Sequence, residues 1–163
     1  MKNKIVAVVV LSSVLIMISC KSEKSSLGAY YSFETECIGT EYDGSLTLRA
    51  WGSGNTKNDA VEQAMKRAVH DVIFNGVLKG ISGTDVRPLI LEANAEEKYR
   101  NYFDEFFVDG GAYLSFVNFD DEKSSSKQLL ENRQVYNYGV TVRVLRSALK
   151  KKLQEDGIIK KVD

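Results

Sequence analysis

The sequence predicts an α+β fold: a four-stranded, mainly antiparallel sheet with helices packed on one face, in the order ββααββα. Three observations lead there. Alternating runs flank the dipeptide Asp43-Gly44, the pattern of a tight hairpin. Val61, Ala64, Met65, Ala68, Val69, Val72 and Ile73 recur at the spacing of one buried helix face. Tyr136, Tyr138, Val140, Val142 and Val144 alternate along one run, as one face of a strand does. Elements of both kinds bury their apolar faces against each other around a single core, and 163 residues suffice for one domain.

The chain opens with "MKNKIVAVVVLSSVLIMISC". Lys2 and Lys4 precede a nearly unbroken apolar run from Ile5 to Ile18, short of the ~20 residues a membrane span needs. This is the anatomy of a secretory signal peptide. Its end, Met17-Ile18-Ser19-Cys20, resembles the bacterial lipobox, with Met17 where that family usually has leucine. The resemblance implies cleavage before Cys20 and lipidation of that residue; the plainer alternative is an ordinary signal peptide with a chance cysteine. Each buried acyl methylene contributes ~0.8 kcal/mol, so more than one chain anchors durably. The expected divisions are a leader over 1–19, a lipidated Cys20 with a polar, serine-rich tether over 20–28, and one domain over 29–163. No Asp follows Cys20 directly, which resembles lipoproteins released to the outer membrane. Glu23 is the nearest acidic residue.

Within the domain, "AYYSFETECIGTEY" and "SLTLRAWG" are the hairpin strands. On the second, Leu46, Leu48 and Ala50 face one way, and Thr47, Arg49 and Trp51 the other. The helix that follows has Thr56 as N-cap and Asp59 three residues on, an imperfect capping box. Ala60, Ala64 and Ala68 let its backbone lie close to the sheet, and Asn75-Gly76 is a plausible stop. Leu89 to Leu91 allows a short strand. Asn94 with Glu97 signals the start of a second helix, with Tyr99, Tyr102, Phe103, Phe106 and Phe107 on one face. "AYLSFVNF" is expected as a strand, "DDEKSSSKQ" as a polar connection, and Ser147 to Glu155 as the last helix, ending at Gly157.

Formal charge is balanced, 22 basic against 22 acidic residues, which gives no basic surface for nucleic acid. Cys37 is the one cysteine besides Cys20, expected to pack as a small hydrophobe. The sole histidine, His70, is expected on the solvated side of the first helix near Lys66 and Arg67. One histidine and one distant cysteine do not define a zinc site. Asp120-Asp121-Glu122 lacks calcium-loop spacing. Gly52-Ser53-Gly54 stands between strand and helix, as a phosphate cradle would. The dinucleotide fingerprint fails at its sixth position, Lys57, and the G-K-[ST] of a P-loop is absent. The expectation is a sharp structural turn whose glycines adopt unusual backbone angles. Glu92, Glu96, Glu97, Asp104 and Glu105 could suggest a carboxylate pair, but their helix carries aromatics on its other face, which is ordinary amphipathicity. The aromatic stripe itself is either core or the wall of a lipid or glycan pocket.

"WGSGNTKNDAVEQAMKRAVHDV" resembles a domain of small outer-membrane lipoproteins and periplasmic flagellar-assembly proteins. The likeness covers about Arg49 to Val77, and the rest only by the order of strands and helices. "RPLILEANAEEKYRNYFDEFFVDGGAY" is similar to a stretch of uncharacterised anchored lipoproteins of anaerobic Gram-negative bacteria. The resemblance implies an envelope protein with a small α+β domain and no catalytic residues. The expected function is a lipid-anchored, non-catalytic accessory or assembly factor that binds the membrane through Cys20 and another envelope protein through its domain. It is expected to use no cofactor, metal or nucleic acid. The alternative is a binding module for a peptide, glycan or lipid that uses Trp51 and tyrosines at an exposed edge.

Overall fold

A computed structural model describes residues 34–80, 86–119 and 136–160. The hairpin is as the Asp-Gly signal predicts: β1 (Glu36–Thr40) and β2 (Leu46–Gly54) pair antiparallel. Gly44 takes φ +79°, a left-handed angle that glycine adopts without steric cost. Asp43 Oδ1 accepts hydrogen bonds from the Ser45 amide and hydroxyl. The β1 register shifts between Cys37 and Gly39.

Helix α1 (Lys57–His70) follows. The capping box is complete: Thr56 Oγ1 accepts from the Asp59 amide at 3.2 Å, and Asp59 Oδ2 accepts from the Thr56 amide at 3.0 Å. Ala60, Ala64 and Ala68 are fully buried, and α1 packs along β2 and the later strand β5 (Tyr136–Val144). The helix does not stop at His70. It runs on as a π-helical turn, Asp71–Asn75, closed by a bond from the Gly76 amide to the Asp71 carbonyl at 2.7 Å. Gly76, at φ +73°, ends it as expected.

The helix end leaves carbonyls without partners in the helix. Those of Val72 and Ile73 accept from the amides of Leu89 and Ile90 at 3.0 and 2.9 Å. Leu89 to Leu91 is therefore an irregular strap against the helix end rather than the short strand expected there. The strand in this region is β3 (Lys79–Gly80), two residues long and parallel to β1.

The expected second helix is broken in two, α2 (Ala95–Lys98) and α3 (Arg100–Phe106). Asn94 does not cap it. Its side chain makes no cap bond and its backbone sits in the left-handed region at φ 63°. "AYLSF" is a 3-10 turn (Ala112–Phe116), and β4 is confined to Val117–Phe119. Tyr113 is fully buried there, which a flat strand with one solvated face does not require. Helix α4 spans Arg146–Glu155 and ends before Gly157 at φ +74°.

The fold is α+β, and the sheet is five-stranded and mixed, in the order β3-β1-β2-β5-β4. The element order is ββαβααββα, which replaces the expected four strands and ββααββα. The difference is β3, too short to leave a pattern, and the break between α2 and α3. Leu46, Leu48, Ala50, Val140, Val142 and Val144 point into one core with Val69, Leu149 and Leu153, as the alternation predicts. The described residues all belong to one compact unit. The expected leader, Cys20, the expected tether and Asp120-Asp121-Glu122 lie outside the described residues. Among those described, no helix is long and apolar enough to cross a membrane.

Candidate functional site

Gly52 and Gly54 are still strand, the last turn-ward residues of β2. Neither has a positive φ, so the expectation of unusual backbone angles is corrected. Their role is the missing Cβ. A Cβ on Gly52 would fall inside the Ala60 carbonyl oxygen and the Ala64 amide nitrogen of α1. One on Gly54 would stand 2.5 Å from the Asp59 Cβ and 2.7 Å from the Ala60 nitrogen. The helix start is occupied by its own capping carboxylate, Asp59, which repels an anion. Lys57, the cation available to a phosphate, lies with Nζ 5.3 Å from the centre of the Tyr138 ring. Ser53 is not a bare turn residue, since its hydroxyl bonds to Oδ1 of the buried Asn137 across the β2–β5 ladder.

An open groove of about 1710 Å3 runs from this end of β2 along α1 to the α2–α3 segment. Gln63, Arg67 and His70 line it from α1, and Glu96, Glu97 and Arg100 from the opposite side. Phe74, Phe103 and Phe107 supply its apolar lining. The Phe74 and Phe103 rings meet edge-on at 4.7 Å, and Phe103 and Phe107 stack at 6.2 Å. The aromatic stripe read from the sequence is thus both core and wall: Phe103 and Phe106 are buried, while Phe107 is half-buried at the groove.

His70 is not the solvated helix residue expected. It is half-buried, with its ring 4.9 Å from Phe74 and 6.0 Å from Phe107. Glu96 Oε1 is 3.2 Å from Nε2, and Asp71 Oδ1 is 3.9 Å from Nδ1. Asp71 is the largest influence raising the His70 pKa above the ordinary histidine value. Burial opposes it and Glu96 adds to it. The Asp71 carboxylate is itself buried. It accepts from the Thr35 hydroxyl and from Asn75 Nδ2 at 2.7 Å, and Arg67 Nε lies 3.8 Å away. Burial alone would push its pKa up. The nearby His70 ring, the bonds from Thr35 and Asn75 and the Arg67 charge outweigh burial and hold it below the usual carboxylate value.

The sequence reading passed over Thr35 and Asp71, and took Asn75 only as part of the helix stop. One signal was available. Asp71 falls seven residues after Ala64, on the buried stripe of α1, where a carboxylate must find donors. The acidic residues singled out from sequence are mostly spread over the surface. Glu92 pairs with Lys98 at 2.7 Å, and Glu97, Asp104 and Glu105 are exposed. Cys37 is 1 % exposed and packs in the core, its thiol 3.6 Å from the Gly39 carbonyl. Trp51 is half-buried, its ring lying over Gly139 of the neighbouring strand, where a Cβ would collide with it. Among the described residues no three His, Cys, Asp or Glu side chains gather as a metal site would need. No protein family, curated protein or solved structure matches the chain.

Proposed function

We propose that this chain is a lipid-anchored envelope protein, held at the outer membrane through Cys20, whose domain acts without catalysis as an accessory or assembly factor. In this reading the groove beside α1 receives another envelope component. The observation that carries it is how the groove's most reactive groups are used. His70 is engaged by Asp71 and Glu96, and Asp71 by Thr35, Asn75 and Arg67. Each of these groups is held in place by neighbouring side chains. What remains presented is a charged rim over aromatic rings, the composition of a recognition surface. The alternative reading, a module for a peptide, glycan or lipid, draws on the Phe74, Phe103 and Phe107 lining of the same groove.

Two measurements test this. Membrane fractionation should find the Cys20→Ala protein released, and retention equal to wild type would reject the anchor. A photo-crosslinking residue at Glu97, on the groove, should capture an envelope protein in intact cells, and one at Lys151, on exposed α4, should not. Arg100→Glu should abolish the capture with an unchanged melting temperature. Equal capture from both positions, or capture indifferent to Arg100, would remove the groove from the function. Loss of capture to an added glycan or to lipid vesicles would favour the alternative.

A further inference from the structure

We propose that the segment from Glu92 to Tyr99, centred on α2, is a flap on the groove, held to α1 by the His70–Glu96 pair and loosened when the imidazole loses its proton. The flap stands independently of any partner, since its readout is its own motion.

The segment has little stability of its own. α2 is four residues long, far below the length at which a helix supports itself in water. Its N-cap position makes no side-chain bond, and Asn94 there has the one positive φ among described non-glycine residues, 63°. Few non-glycine residues take the left-handed region, asparagine being one that does. The Glu92–Lys98 pair at 2.7 Å joins two residues within the segment, so it stiffens the flap without tying it to α1. Tyr99 anchors the segment at its C-terminal end, packing against the core and accepting from the Phe103 amide at 3.1 Å; ahead of it the ties are buried Ala95 and the contact from Glu96 to His70 at 3.2 Å.

On the other side His70 is fixed. Its ring rests against Phe74 and Phe107, and Asp71 lies beside Nδ1. The charged groups around it come from every neighbouring element. Lys66 and Arg67 are on α1, but Lys66 is paired with Asp109 and Arg67 with Asp71. Glu92, Glu96 and Glu97 belong to the flap, and Arg100 and Asp104 line the groove from α3. The imidazolium is therefore the cation across the groove from Glu96. Asp71 and Glu96 raise its pKa above the ordinary value of 6.5. The charge contribution to the tie is complete below that value and is lost as pH rises through the folded-state pKa, leaving at most the weaker hydrogen bond of a neutral imidazole.

Amide exchange in the full chain, kept in a mild detergent, reads the flap directly. The amides of Lys98 and Tyr99 bond to the Asn94 and Ala95 carbonyls within the segment at 2.9 Å, and they report the unwinding of α2 on release, since a helix of four residues does not hold once its contacts with the domain are gone. With intrinsic exchange chemistry divided out, both should open about two- to five-fold more often at about pH 8 than at about pH 5.5, the range expected of a partly exposed pair. Amides of β2 and β5 should not change. Glu96→Gln, at a side chain 66 % exposed, should fold normally and abolish the pH difference, as should His70→Gln. No difference in the wild-type protein, or a difference that survives Glu96→Gln, would overturn the flap. Should His70→Gln fail to fold, the Glu96 variant alone decides.

Discussion

Gly52 is a residue whose importance lies in the atom it lacks. Its Cα faces the α1 backbone at Ala60 and Ala64, so the helix rests on the strand with no side chain between. Gly52→Ala is expected to destabilise the domain by at least the ~1–3 kcal/mol typical of overpacking, because the obstacle is backbone and cannot rotate away. Ser53→Ala should cost ~1 kcal/mol, the net worth of one hydrogen bond, by removing the hydroxyl that bonds to buried Asn137. Denaturant titration orders the pair, and a Gly52→Ala protein as stable as wild type would contradict the close approach. The sequence showed the alanine spacing as a close approach to the sheet, but suggested a torsional reason for the two glycines. Strand geometry and a Cβ collision leave the same letters as a left-handed turn. His70 was misjudged for a related reason. Its neighbours in the helix are charged, whereas Phe107 and Glu96, which half-bury it, arrive from distant parts of the chain.

At the scale of elements, strong local signals were legible and weak ones were not. The capping box of α1 formed as Thr56 and Asp59 imply, and Thr56→Ala is expected to cost ~1 kcal/mol, seen as a lower melting temperature with no nucleotide-binding consequence. The alternation of Leu46, Leu48 and Ala50 and of Val140, Val142 and Val144 gave both central strands and their inward faces. β3 has two residues and takes its conformation from β1, so nothing local announces it. The break between α2 and α3 was hidden because Glu96, Glu97, Arg100 and Tyr102 suit a continuous helix. The groove depends on that break and on the π turn after α1, and neither is written in a periodicity.

At the scale of the molecule, the Asp71 network joins Thr35, just before β1, to the end of α1 and, through His70, to α2. Its two titrating members set a pH window. Asp71 has a folded-state pKa below its ordinary 3.8, so its contribution is present above about pH 4 and is lost as pH falls through the folded value. His70 has a raised pKa, so its contribution is full below about pH 6.5 and fades as pH climbs through the folded value. Stability from this pair is expected to peak between about pH 4 and about pH 6.5. Denaturant midpoints across pH should show an acid limb that shrinks in Asp71→Asn. An identical limb in that variant would assign acid sensitivity to other carboxylates.

The position of β5 in the sheet carries a consequence for how the chain reaches its native state. β5 lies between β2 and β4 and pairs Leu46 with Val144, about a hundred residues apart in the chain. Such long-range pairing raises contact order and slows folding, because the loop must close before its contacts reward it. Until residues 136–144 are available, β2 and β4 have no strand between them and α1 lacks one of the two strands it packs along. Export unfolded across a membrane, which the proposed lipid-anchored reading requires, would gain from this delay: the chain cannot lock its core while its C-terminal strand is still in transit.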